Sequence, residues 1–223
     1  MSGPLSATAL IAAAGSGRRL GAGGPKALVP LAGRPMLEWS LEAARSAASI
    51  EAIVVAAPPG HEEELAAEGI TVLAGGETRS QSVAAALEEV ETELVAVHDA
   101  ARPLVTAELF DAVLAALVED DDAAAAVAAA PVSDTIKQVA RGAEVDSTLD
   151  RSALWAAQTP QAFRVKALRE AHASTALLAQ ATDDAMLVER LGRKVVLYEA
   201  PAENLKVTTP LDLRIAELLL SER

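Results

Sequence analysis

Residues 12–26 read AAAGSGRRLGAGGPK and follow directly on an apolar run at residues 7–13. Gly15 and Gly17 let backbone N–H groups approach phosphate oxygens. Arg18, Arg19 and Lys26 can neutralise the charge those oxygens carry. The pattern is not a Walker A loop, which requires Gly-Lys-Ser/Thr after its second glycine. It also lacks the third glycine of the dinucleotide fingerprint, because Leu20 stands at that spacing. Glycine spacing alone fits a structural turn as well as a phosphate cradle, and the three cations favour the cradle.

Three further stretches could carry chemistry. Val97-His98-Asp99-Ala100-Ala101-Arg102-Pro103 puts an aspartate at the end of a buried strand, where open α/β sheets bind ligands. An ordinary loop ion pair between Asp99 and Arg102 is the plain alternative. His98 reads as a strand-end structural residue. Gly75-Gly76-Glu77-Thr78-Arg79-Ser80-Gln81-Ser82 offers backbone groups to a flat ligand such as a base, or a strand-to-helix turn capped by Thr78. Glu203-Asn204-Leu205-Lys206-Val207-Thr208 brings a lysine to the start of the last helix. With 14 Arg against 5 Lys, each retained lysine carries more information than usual.

The elements that must position these residues alternate along the chain. Strands are expected at residues 7–13, 52–57, 70–73, 94–98, 123–132 and 194–198. Helices are expected at 34–47, 61–68, 79–90, from Thr106 to about 119, from about 165, at 182–191 with Thr182 as cap, and at 210–220. Such alternation predicts a single α/β domain over residues 1–223 with a mostly parallel sheet flanked by helices. The rhythm breaks at about residues 133–157. There, 135–140 and 144–149 can pair as a hairpin leaving the body, an arm that calls for a partner surface and so predicts a homodimer.

Composition narrows the partners. A net charge of -13 disfavours nucleic acid and anionic membranes. The absence of cysteine excludes disulfides, thiolate metal sites and a cysteine nucleophile. No apolar segment reaches membrane-span length and the N-terminus lacks a charged signal start, so a cytoplasmic protein is expected.

Taken together, A-A-G-x-G-x-R with a later P-K, G-G-E-x-R, V-H-D-A-A-R-P, P-V-S-D-T-I-K, D-R-x-x-L-W-x-x-Q-T-P-Q, T-D-D and N-L-K-V-T occur in this order. The set resembles the 2-C-methyl-D-erythritol 4-phosphate cytidylyltransferase family of the non-mevalonate isoprenoid pathway, from about residue 8 to residue 219. The glycine loop is shared with many nucleotidyltransferases, whereas VHDAARP, QTPQ and NLKVT together are far more specific.

The resemblance implies a Rossmann-like nucleotidyltransferase fold with a dimerising β-arm, and CTP, Mg2+ and methylerythritol phosphate as ligands. It places Ala13, Ala14, Gly76, Glu77 and Ser82 around the cytosine, and Gly15, Ser16 and Gly17 at the triphosphate. Arg19 and Lys26 would hold the triphosphate and stabilise the transition state. Asp99, Arg102, Thr135, Arg151, Thr159, Thr182 and Lys206 would position the sugar phosphate, with Arg151 and Lys206 aiming it at the α-phosphorus. Asp99 is the carboxylate nearest the metal. Thr135 and Arg102 are expected to act across the dimer interface. The family usually has Asp at the position of Glu77, a change that a backbone contact survives, and often Glu at that of Asp184.

The implied reaction is in-line attack by an ionised phosphate oxygen, which needs no general base. A cytidylyltransferase for another polyol phosphate, such as ribitol 5-phosphate, is the near alternative. A dinucleotide-dependent oxidoreductase and a non-catalytic nucleotide-binding module are the distant ones.

Overall fold

A computed structural model describes residues 5–21, 23–173 and 181–223, without the side chain of Arg18. Its centre is a seven-stranded sheet in the order β11-β7-β10-β6-β1-β4-β5. The strands are β1 (Ala7–Ala12), β4 (Ile50–Ala57), β5 (Ile70–Ala74), β6 (Leu94–Asp99), β7 (Ala123–Pro131), β10 (Trp155–Arg164) and β11 (Lys194–Glu199). Two small sheets stand apart: β2 (Pro30–Leu31) with β3 (Arg34–Pro35), and β8 (Lys137–Arg141) with β9 (Glu144–Thr148). The helices are α1 (Met36–Ser46), α2 (Glu62–Leu65), α3 (Arg79–Leu87), α4 (Ala107–Glu119), α5 (Val165–His172), α6 (Asp184–Arg190) and α7 (Pro210–Ser221).

Period-two burial dictates the layering. Along β1, Ala7, Ala9 and Ile11 face one core with α1 and α4, where Leu37, Leu41, Phe110 and Leu114 pack. Leu10 faces the opposite core, where α3, α5 and α6 supply Val83, Leu87, Leu168 and Leu187. The alanine run of β7 obeys the same rule: Ala126 and Ala128 pack on the first side, Ala125 and Val127 on the second. Small side chains on a strand covered on both faces let the helices sit close. α7 closes a third cluster with Leu31, Met36, Leu104 and Val207.

Six strands run one way. β1 pairs in parallel with both β4 and β6, β4 with β5, and β7 with β11. β10 alone runs against them, antiparallel to β6 and to β7. The chain winds from β1 to β4 on one side and reaches β6 on the other, so a crevice opens beyond the end of β1.

The elements depart from the sequence expectation in four places. The expected helix at residues 34–47 starts only at Met36, because Arg34–Pro35 pairs with Pro30–Leu31 as a short hairpin. The segment 61–68 forms just Glu62–Leu65, and none of its residues is buried; a helix with no face to pack gains little beyond one turn. The cap of α6 is Asp183, whose side chain accepts the Met186 N–H, and not Thr182, whose exposed hydroxyl faces the Met186 sulfur. β10 stands where the end of the arm, to residue 157, and then no element up to the helix near residue 165 were expected. Its Trp155–Ala157 end pairs with β7, so the projecting hairpin itself is Lys137–Thr148.

Candidate active site

The loops after β1, β5 and β6, together with the segment before α7, enclose one cleft of about 740 Å3. Its walls include Ala14, Gly15, Ser16, Gly17, Arg19 and Lys26 from the first loop. Gly76, Glu77, Arg79 and Ser82 come from the second, Asp99 from the end of β6, and Lys206 and Thr208 from the approach to α7.

Each loop is held by bonds that its own residues dictate. Gly17 sits at φ 64°, a left-handed backbone that favours glycine, and an added Cβ would lie 3.1 Å from Lys26 Cβ. That close return is fixed by the Lys26 N–H, which donates to the Gly15 carbonyl at 3.0 Å. The loop therefore folds back on itself and sets Lys26 over the glycines. At the second loop, Thr78 and Gln81 form a reciprocal capping box at the start of α3. The Ser82 hydroxyl accepts the Gly76 N–H at 3.0 Å and donates to the Thr78 carbonyl at 2.9 Å. Gly75 lets the two loops touch, since a Cβ there would lie 2.4 Å from Ala14 Cβ.

The electrostatics centre on Asp99. Lys206 Nζ donates to its Oδ2 at 2.6 Å, and Arg79 Nε donates to its Oδ1 at 2.8 Å. Burial would raise the Asp99 pKa, but Arg79 and Lys206 outweigh it and hold the carboxyl well below the usual range. Arg79 also donates from Nη1 to Asp184 Oδ2 at 2.5 Å. Asp184 is fully buried, which alone would raise its pKa. Arg79 and a bond from His172 Nε2 to Oδ1 at 3.0 Å keep it lowered. Lys26 has no such partner among the described residues. Burial, and then the charge of Lys206, bring its pKa down from 10.5 to about 8.

The remaining expected residues lie around this centre. Ala13 is buried in the strand-end backbone, its N–H donating to Ala56. Thr159 is buried behind Asp99: its hydroxyl accepts the Asp99 N–H at 3.0 Å and meets His98 Nδ1 at 3.1 Å. His98 itself is fully buried, and burial lowers its pKa to about 4. Arg102 reaches within its own chain to the carbonyls of Asn204, at 2.7 Å, and Ala157, at 3.3 Å. Asn204 bonds Gln158 and the Thr159 carbonyl at 2.7 and 2.9 Å, tying the lysine segment to β10.

Arg151 stands exposed where the hairpin returns, donating to the Ser133 carbonyl at 2.6 Å. Thr135 and Thr182 are also exposed, and none of these three lines the cleft. Of the neighbouring cations, Arg18's side chain lies outside the described residues.

Sequence reading missed Arg79, Asp184 and His172 as members of the site. Arg79 stood inside G-G-E-x-R and Asp184 inside T-D-D. The available signal was the second aspartate of T-D-D, which a single helix cap leaves without a task.

A metal centre built by the protein alone is not present among the described residues, where no group of three or more His, Cys, Asp or Glu side chains could hold an ion. Among the described residues two carboxylates line the cleft, Glu77 and Asp99. Each Asp99 oxygen carries one bond and keeps a second acceptor position. That suits a Mg2+ held chiefly by phosphate oxygens and water, which needs one or two carboxylates.

Comparison with known proteins finds relatives along almost the whole chain. Residues 7–222 match the family profile described as 2-C-methyl-D-erythritol 4-phosphate cytidylyltransferase. A relative of that name from Gloeobacter violaceus is 47% identical over 223 residues, covering 95% of this chain and 94% of the relative. One from Synechococcus elongatus is 45% identical over 225 residues, covering 96% of each. The crystal structure of the Thermus thermophilus enzyme of the same name superposes with a TM-score of 0.79 at 40% identity, covering 96% of this chain and 98% of that one. A 4-diphosphocytidyl-2C-methyl-D-erythritol synthase structure from Anaerococcus prevotii gives 0.82 at 30% identity, covering 97% and 99%.

Proposed function

The chain belongs to the 2-C-methyl-D-erythritol 4-phosphate cytidylyltransferase family, and we propose that its cleft performs that transfer by charge neutralisation and positioning alone. The enzyme joins CTP and 2-C-methyl-D-erythritol 4-phosphate to give 4-diphosphocytidyl-2-C-methyl-D-erythritol and pyrophosphate. The observation that carries the mechanism is the convergence of Gly15–Gly17, Arg19, Lys26, Asp99 and Lys206 on one cleft.

In this reading the cytosine lies between Ala13–Ala14 and Gly76–Glu77, beside Ser82. The Gly75–Ala14 contact makes that slot narrow, which favours a pyrimidine over a purine. The triphosphate follows the glycine loop, with backbone N–H groups of Gly15, Ser16 and Gly17 and the cations Arg19 and Lys26 on its oxygens. Lys206 draws the acceptor's phosphate towards the α-phosphorus, and Arg151 swings in from the hairpin base to share that charge. A phosphate oxygen of the acceptor forms the new P–O bond. The bond from the α-phosphorus to the bridging oxygen breaks, and its electron pair leaves on pyrophosphate. The nucleophile is already ionised, so no residue need take a proton.

Mg2+ would be held by Asp99 with waters and phosphate oxygens, and when bound would supply further charge neutralisation at the triphosphate. Thr159 supports the acceptor side through the Asp99 backbone, and Thr182, which lies off the cleft wall, would join it only as the acceptor binds. Arg102 shapes it through the Asn204 carbonyl.

Two copies are proposed to associate through the hairpin, which exposes Val139 and Val145 at 52% each. Thr135 at its root would then reach the partner's cleft. Among the described residues no helix is long and apolar enough to cross a membrane; a cytoplasmic location is proposed.

A pyrophosphate-release assay with CTP and methylerythritol phosphate tests the reading, with ATP, GTP, UTP and ribitol 5-phosphate as controls. Release confined to the first pair is expected. Equal turnover with ribitol 5-phosphate would reassign the acceptor, and no release with either would overturn the reading.

A further inference from the structure

Five side chains, from α5, α6, α3, β6 and the segment before α7, form one line of bonds running from beneath α5 into the cleft. His172 Nε2 meets Asp184 Oδ1 at 3.0 Å, and Asp184 Oδ2 accepts from Arg79 Nη1 at 2.5 Å. Arg79 Nε donates to Asp99 Oδ1 at 2.8 Å, and Asp99 Oδ2 accepts from Lys206 Nζ at 2.6 Å. Arg79, Asp99 and Lys206 face the cleft, whereas His172 and Asp184 do not. The remaining nitrogen of Arg79, Nη2, is buried and has no partner among the described residues. Arg79 is thus placed by its two carboxylates, and among the described residues it is the side chain that links the acidic pair.

The line has a consequence for turnover. Lys206 commits one of its three N–H donors and part of its charge to Asp99, so it serves the acceptor's phosphate best when it moves off that carboxylate. When that phosphate draws Lys206 away, Asp99 becomes a largely buried carboxylate that depends on Arg79. Arg79 can meet this need only if it stays put, and the buried Asp184, itself braced by His172, fixes it from the other side. We infer that the Asp184–Arg79 pair is a positioning device for the acceptor side, holding Asp99 in place while Lys206 passes from Asp99 to the acceptor's phosphate. The inference rests on the proposed use of Lys206 and Asp99 towards the acceptor.

The test compares wild type with Asp184→Asn, Arg79→Gln and Arg79→Lys, determining KM for each substrate separately and the thermal midpoint. Asp184→Asn and Arg79→Gln are expected to raise KM for methylerythritol phosphate about tenfold or more and KM for CTP less than about threefold. Arg79→Lys, which keeps one charge but cannot span two carboxylates, is expected to fall between. A purely structural role lowers the number of folded molecules, and so apparent kcat, without changing the KM of those that remain. Variants with both KM values unchanged, or with both raised alike, overturn the inference. Failure of all three to fold makes the pair a folding element and overturns it too. Wild type that binds no acceptor overturns the proposed function and the inference together, whereas active wild type with unselective variants overturns the inference alone.

Discussion

Lys26 is the residue whose chemistry is most exposed to test, because its lowered pKa of about 8 lies within working range. In the proposed mechanism the cationic form is the one that serves the triphosphate. In the free enzyme kcat/KM for CTP should therefore fall as pH rises through about 8. Bound triphosphate favours the cation, so kcat should hold to a more alkaline limb. A kcat/KM profile flat to beyond about pH 9 would refute this role, and Lys26→Arg, which does not titrate there, should flatten it. Removal of the charge in Lys26→Ala should cost on the order of a hundredfold in turnover with circular dichroism unchanged; wild-type rates there would remove Lys26 from the mechanism. The stability sign runs the other way from activity. Between pH 8 and 10.5 the unfolded chain binds more protons at this residue than the folded one, so the folded state gains stability as pH rises through that window. Lys26→Met should accordingly be at least as stable as wild type to urea at neutral pH. Of the residues that line the cleft, Arg19, Lys26 and Asp99 stood out in the sequence by a glycine-rich loop or a strand end, and Lys206 by its place just before the last helix. Arg79 and Asp184 lie 105 positions apart, and a pairing of that kind has no local signature; only the fold creates it.

The elements that hold these residues were mostly legible where burial and periodicity coincide. β1, β6, β7 and α4 follow from apolar runs and from Thr106, which caps α4. β10 escaped because its middle reads Gln158-Thr159-Pro160-Gln161, a loop-like composition. Its buried amides are satisfied across the chain: Gln161 bonds Asp183 at 2.9 Å and Asn204 bonds Gln158 at 2.7 Å. Polar residues with dedicated partners can occupy a sheet interior, and sequence alone does not show the partners. The same scale offers a test at Gly75, where the loops after β1 and β5 meet. In Gly75→Ala the new Cβ would fall 2.4 Å from Ala14 and 2.9 Å from Ser82 Oγ, so one loop must move. The expected cost is about 1–3 kcal/mol of stability, with KM for CTP rising more than KM for the acceptor. At Gly15 an added Cβ meets nothing within 4 Å, so Gly15→Ala should leave the melting midpoint in place. Equal midpoints for Gly75→Ala and Gly15→Ala would show that the loops do not depend on that contact.

At the scale of the whole molecule, the hairpin Lys137–Thr148 is the feature that the single chain leaves unexplained. It forms its own two-stranded sheet, and a lone hairpin is marginal in water without something to pack on. Its residues are almost all exposed, including Val139 and Val145, with Leu149 and Trp155 also exposed near its base. Arg151 and Thr135 flank the hairpin and lie off the cleft of their own chain, although both were expected at the acceptor. A second copy would resolve both difficulties at once, by covering the valines and by giving Thr135 a cleft to enter. Light scattering should therefore report about twice the 22.9 kDa chain mass. Val139→Asp with Val145→Asp, which places charge on the apolar face without touching the cleft, should yield monomers and raise KM for the acceptor. The proposed CTP subsite, on the loops after β1 and β5, should retain its KM. A monomeric wild type would leave the hairpin without this role, and a monomeric double variant with unchanged acceptor KM would show that each cleft is complete in one chain.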